Sequence, residues 1–250
     1  MTHDPYATPR SLGSRCDECS CGPRGAKRTP VLPEVRENAI LWIGGEAPGV
    51  RETEEGRPFV GASGRELFDE MLGPTGVKRH QCSVSNGALC MPPGGDMRRY
   101  LLRVGRTNSK IVRDAKLARK EGREVSEKPW LTPIEACAPR VQREISKARA
   151  LLILGAHCLR SVAGTVQGIG DKGLMKSRGF PFSVPTEAGP KPAVATFHPA
   201  AVMSGGAQKR LGRRWREVVR ADVRKAVRNA YGRLEWVEPE IIWDPTLGEF

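Results

Sequence analysis

The chain has 250 residues, 39% of them apolar, enough for one large or two small cored domains and too many for a wholly disordered chain. Its longest apolar run, residues 150–156, is far short of the roughly 20 residues that cross a bilayer, and residues 1–15 lack the apolar core of a signal peptide, so the expectation is a cytoplasmic or nucleoid-associated protein with no membrane partner. Lys and Arg number 41 against 28 Asp and Glu, a net charge of +13 that suits a polyanionic partner, nucleic acid above all.

Residues 1–37 are rich in Pro, Gly, Ser and Arg and show no apolar period, which predicts an extended arm that needs a tie to become ordered. Cys16, Cys19 and Cys21 crowd there, and seven cysteines without an export signal predict thiols or metal ligands rather than a disulfide framework. A domain is expected over residues 38–230. Ala39-Ile40-Leu41-Trp42-Ile43, ending at Gly44-Gly45, reads as a strand buried on both faces and therefore central in a sheet. Ser63 and Glu66 have the spacing of a capping box, which predicts a helix to about Leu72 with Leu67, Phe68, Met71 and Leu72 facing inward.

A short strand is expected over 83–89. Gly94-Gly95 then opens a polar, helix-prone stretch to residue 131 that breaks the alternation and reads as an insertion; residues 97–128 carry 11 Lys and Arg against 4 Asp and Glu. Thr132 with Glu135, and Pro133 at the first helical position, start a helix to about Lys147, followed by an apolar strand over 150–154. A further strand is expected over 192–197. In 207–228, Leu211, Trp215, Val219, Val223 and Val227 recur every four positions, the pattern of an amphipathic helix. Residues 231–250 form an acidic tail whose Ile241-Ile242-Trp243 is able to pack back on the body. Strands separated by helix-length segments predict an α/β fold, a three-layer α/β/α sandwich around a four-stranded, mainly parallel sheet.

Ligands of such sheets collect at the carboxyl ends of the strands. Four unusual segments fall there: Gly44-Gly45-Glu46-Ala47-Pro48-Gly49, Ser85-Asn86-Gly87, Gly155-Ala156-His157 and Phe197-His198-Pro199. Together they supply a carboxylate, an aromatic face, an amide and an imidazole, a set able to grip a planar heterocycle and cleave a bond to it.

These segments resemble those of the uracil-DNA glycosylase superfamily, most closely the family 4 enzymes that carry an iron–sulfur cluster. The resemblance rests on Gly45-Glu46-Ala47-Pro48-Gly49 with Gly56-Arg57-Pro58-Phe59-Val60-Gly61, on Asn86-Gly87-Ala88-Leu89-Cys90-Met91-Pro92-Pro93, on Glu135-Ala136-Cys137-Ala138-Pro139, and on Leu154-Gly155, Arg178-Gly179 and His198-Pro199. It implies a monofunctional enzyme, by analogy a monomer, that flips uracil out of single- or double-stranded DNA and hydrolyses its N-glycosidic bond in base excision repair. Phe59 would stack on the base and Asn86 would pair with its edge, with Gly45 and Ala47 alongside. His198 would stabilise the departing uracil anion, and Glu46 would activate water and offset sugar cation character.

The resemblance further implies that Cys16, Cys19, Cys90 and Cys137 hold a [4Fe–4S] cluster, since such clusters need four thiolates. A Cys₄ zinc site is the alternative, and Cys21 stands close enough to leave the ligand choice open. Cys82 and Cys158 read as small buried residues, and His3, His80 and His157 as surface residues. The insertion at 94–131 is expected to meet phosphates or a repair or replication partner. Ala200 stands where the family has serine, Thr53 where it tends to have aspartate, and Gly49 where some relatives place a bulky gate against the thymine methyl. Two other readings stay open: a non-catalytic DNA-binding module of the same fold, and a glycosylase for another deaminated or modified base.

Overall fold

Strand β1, Ala39–Gly45, is buried along its whole length because its two neighbours and the two helical layers leave no edge or face to solvent. The computed structural model that shows this describes residues 8–22, 29–125, 128–164, 166, 169, 173–203 and 209–232, the side chains of 209–214 excepted. The other strands are β2, Cys82–Asn86, β3, Ala148–Leu154, β4, Pro181–Val184, and β5, Lys191–Thr196. Their order is β2-β1-β3-β5-β4, with every pair parallel except β4 against β5. The sheet therefore has five strands rather than the expected four; the extra one is the short, half-exposed edge strand β4, whose Pro-containing sequence has no long apolar run to announce it.

The helices are α1, Val50–Glu55, α2, Ala62–Arg65, which widens into a π-helical stretch over Glu66–Leu72, α3, Met97–Lys120, α4, Pro133–Ile145, α5, Ala156–Ala163, α6, Gly173–Ser177, α7, Pro199–Met203, and α8, Lys209–Ala230. Side chains alternate across a strand, so β3 turns Ala150, Leu152 and Leu154 to one face and Leu151 and Ile153 to the other. On the first face they meet Leu67, Met71 and Leu72 of the π-helical stretch and Val219, Val223 and Val227 of α8. On the second they meet Trp42 of β1, Val141 and Ile145 of α4, and Leu159 and Val162 of α5. These are the three layers. Leu211 and the segment Ile241-Ile242-Trp243 lie outside the residues whose side chains are described.

The capping box at Thr132 and Glu135 forms as its spacing predicts, with Pro133 in the first turn of α4. The one at Ser63 and Glu66 does not. Helix α2 begins two residues earlier, after Gly61, whose amide donates to the Glu52 carboxylate at 2.8 Å. Glu66 is freed to take both Nε and Nη2 of Arg216 from α8, which clamps helix to helix across that layer. The second strand ends at Asn86 rather than running to residue 89. There the chain leaves the ladder while still tethered to β1, Gly87 N–H donating to Gly45 O at 2.8 Å and Ala88 N–H to Glu46 O at 2.9 Å. Helix α3 buries only Met97, Tyr100, Val104, Ile111 and Ala118, a single stripe, and leaves its charged faces to solvent. Among the described residues no helix is long and apolar enough to cross a membrane.

Candidate functional site

Four parallel strands end at one edge of the sheet, and the segments that follow β1, β2 and β5 line a cavity of about 460 Å³ there. Glu46, Ala47, Pro48 and Gly49 follow β1, Asn86 closes β2, and His198 and Ala200 follow β5; Phe59 reaches in from the loop between α1 and α2. Glu46, Ala47, Phe59, Asn86 and His198, separated by up to 152 residues in the chain, thus line one space. Gly45 stands behind it: a Cβ there would lie 2.5 Å from Phe59 Cζ and 2.6 Å from Asn86 Oδ1, so only glycine lets ring and amide meet.

Phe59 has the left-handed φ of +54°, a conformation that costs a bulky residue about 1–3 kcal/mol and persists where the surroundings impose it. Those surroundings are identifiable. Arg79 donates to the carbonyls of Pro58 and Phe59 at 2.6 and 3.1 Å, and buried Glu34 holds Arg79 and Arg57. Gly64 packs where any Cβ would strike the Phe59 carbonyl at 1.9 Å. The ring is thereby fixed 5.8 Å from the His198 ring, centroid to centroid.

Asn86 is held from behind. Buried Arg140 donates to its carbonyl at 2.6 Å, to that of Gly87 at 3.3 Å and to Ser85 Oγ at 2.9 Å, while its charge is met by buried Glu144, which also accepts from Trp42 Nε1 at 3.1 Å. A buried pair of this kind adds little net stability but fixes geometry, here the end of β2. Among the described residues no hydrogen bond engages the Asn86 side-chain amide, which leaves its donor and acceptor to the cavity.

His198 lies partly exposed to the cavity with protein packed around it, and this burial pushes its pKa down to about 4, so the imidazole is neutral at pH 7. Its Nδ1 accepts from the Ala200 amide at 3.2 Å, which places the remaining proton on Nε2. Behind it, buried Asp222 accepts from Thr196 Oγ1 at 2.8 Å and pairs with Arg178 at 2.9 Å; the Arg178 guanidinium lies over the Phe197 ring. These contacts fix the residues that flank the imidazole.

The Glu46 carboxyl is half-buried, and both burial and the Asp96 charge raise its pKa. His157 was expected on the surface. Instead it is half-buried in the first turn of α5, with Nε2 3.7 Å from Glu46 Oε2, and burial and nearby Arg160 hold its pKa below the usual value. Glu52 was missed as well: it lines the cavity and caps Gly49 and Gly61, a Gly-x-x-Glu spacing visible in the sequence. It also occupies the space beyond Gly49, where an added Cβ would meet Glu52 Oε2 at 2.8 Å.

On the far side of Glu46 the arm is sewn onto α4. Arg15 N–H donates to Ala136 O at 2.8 Å, Ser14 Oγ–H to Cys137 Sγ at 3.7 Å, and Cys19 bridges to Leu131. Cys137 is near enough to raise the pKa of both Cys16 and Cys19, after burial in the first and contact with Cys21 in the second. Cys90 is half-buried just beyond β2. Cys21 donates its amide to Cys19 Sγ at 3.4 Å. Cys82 and Cys158 are fully buried away from this group, in the two sheet-facing cores.

The model of the uracil DNA glycosylase superfamily matches residues 32–219, three quarters of the chain and all five strands. The chain belongs to that superfamily. It is 30% identical over 199 residues to a type-4 uracil-DNA glycosylase of Pyrobaculum aerophilum, covering 77% of this chain and 81% of the relative. A type-4 enzyme of Sulfurisphaera tokodaii is 27% identical over 179 residues, covering 70% and 67%. One from Archaeoglobus fulgidus is 42% identical over 67 residues, covering 26% and 33%. As a superfamily member the chain places its cavity at the strand ends while carrying, in α3, 24 residues of a strongly basic helix beside it.

Proposed function

We propose that this chain is a monofunctional uracil-DNA glycosylase that draws an everted uracil into the 460 Å³ cavity and hydrolyses its N1–C1′ bond. The observation that carries this reading is the meeting of the Phe59 ring, the free Asn86 amide and the neutral His198 imidazole in one space, and the type-4 relatives support it. Everting a nucleotide costs a few kcal/mol, and a base stacked on an aromatic ring regains about 1–3 kcal/mol, with basic surface supplying the rest through phosphates. The Asn86 side chain offers an acceptor to N3–H and a donor to O4 of uracil; cytosine presents the reverse pattern and leaves both unpaired, at about 1–3 kcal/mol each.

As the bond opens, positive charge grows on the sugar and negative charge on the base. His198 Nε2–H faces the base anion as a neutral donor, the oxyanion type of stabilisation. Glu46, whose basicity is raised, takes a proton from the attacking water while its carboxylate offsets the sugar cation. Water oxygen bonds to C1′, uracil leaves with the bonding pair, and an abasic sugar remains. Uracil-containing oligonucleotide incubated with the protein is expected to break on alkali treatment, and Glu46→Gln to abolish most of that scission; binding with no scission by the unmodified protein would leave only a DNA-binding module.

We further propose that Cys16, Cys19, Cys90 and Cys137 hold a [4Fe–4S] cluster. All the donors are thiols, the ligand type that iron–sulfur clusters take, and Cys137 lies near both Cys16 and Cys19. Bound there, a cluster would supply no chemistry to the cavity; it would pin the arm to α4, with the Cys21 amide bonded to one ligand sulfur. The isolated protein is expected to be brown, with iron and acid-labile sulfide in equal amounts, both lost in Cys137→Ala. A colourless protein isolated without oxygen and holding one zinc per chain would overturn this.

A further inference from the structure

A second cavity, about 790 Å³, runs between α3 and α5. Arg98, Arg106, Lys110 and Arg113 of α3 face Arg160 of α5 across it, and among the described residues no carboxylate lines it. The four α3 cations share one side of the helix, turned away from the stripe of Met97, Tyr100, Val104 and Ile111 that packs inward. All five are exposed. Arg113 touches Asp114 at 3.4 Å, and the other four make no ion pair among the described residues. Like charges this close repel one another, and a protein gains by such a row when an anion answers it.

His157 lines this groove too, and the same ring stands 3.7 Å from Glu46 in the catalytic cavity, so the two spaces meet at that contact. From Arg98 to Arg113 the helix advances roughly 22 Å at 1.5 Å per residue, the run of about six phosphates of a stacked strand. Among the described residues that line the groove five are cations and the one ring, His157, sits at its junction with Glu46, a lining that suits backbone phosphates more than stacked bases.

We infer that the α3–α5 groove holds the sugar–phosphate backbone of the substrate strand on one side of the everted nucleotide. This rests on the reading of the site as a DNA glycosylase and adds a strand path supplied by the basic helix. The combined variant Arg106→Ala, Lys110→Ala and Arg113→Ala removes exposed groups from a helix, so its melting curve should match that of the unmodified protein. Binding is then measured against salt with oligonucleotides extended only on the 5′ or only on the 3′ side of uracil.

For one of the two extensions the variant should bind at least about tenfold more weakly, with a log K against log salt slope shallower by about 2–3, one unit or slightly less per lost phosphate contact. For the other extension it should match the unmodified protein, and kcat at saturating substrate should not change. Equal affinity and equal slope on both extensions, as expected were the groove meant for an acidic protein, would overturn the inference. If the unmodified protein binds the oligonucleotides but releases no uracil, the glycosylase reading fails while the slope comparison still decides the groove.

Discussion

Replacing His198 with alanine is expected to lower the rate of uracil release by about 10²–10³-fold, the usual cost of one donor aimed at a developing anion. The loss should fall on kcat, because the hydrogen bond to the base strengthens only as the base takes up charge. The pH dependence separates this role from that of a protonated imidazolium. Burial holds His198 at about 4, so it is neutral near pH 7, and His198 itself should impose no fall in activity until the pH nears that value. The same shift acts on stability. Unfolding returns the ring to its ordinary pKa of 6.5, so the unfolded chain binds more protons below that pH and stability falls as pH drops from about 6.5 towards 4. His198→Ala should flatten that part of the stability profile, as read by thermal melting at successive pH values.

Asn86→Ala is expected to lower kcat/KM for uracil by about 10²–10⁴-fold, since a site built to hydrogen-bond a substrate edge loses both binding and discrimination when the partner is removed. Its backbone should stay in place: Arg140 grips the Asn86 carbonyl, not the side chain, and the Gly45–Gly87 bond is main chain to main chain. An unchanged melting temperature together with the kinetic loss would assign the effect to recognition. A large loss of melting temperature would instead mark Asn86 as a structural residue of the β2 end.

Much of this site was legible because local rules and function agree. An apolar run ending in two glycines gave β1, and Gly45 is needed there for the close approach of Phe59 and Asn86. Thr132, Pro133 and Glu135 marked the start of α4 by capping chemistry alone. What the chain concealed are pairings between distant segments. Nothing local to Arg140 says that it will hold the end of β2, 54 residues upstream, nor does Glu66 declare that its partner is Arg216 rather than the backbone three residues before it. Gly155-Ala156-His157 is marked in the sequence as a strand-end segment, but nothing local pairs the imidazole with a carboxylate; only the parallel pairing of β1 with β3 brings the loop after β3 beside Glu46. The edge strand β4 escaped for want of an apolar pattern, because half of it faces solvent.

The most direct test is to give the unmodified protein an oligonucleotide with one uracil among several cytosines and to identify the released bases by mass spectrometry. An amide edge and a phenyl face that read an everted uracil predict free uracil alone, with release falling at least about a hundredfold in Asn86→Ala. Release of cytosine at a comparable rate, or of no base while the strand is bound, would contradict the account.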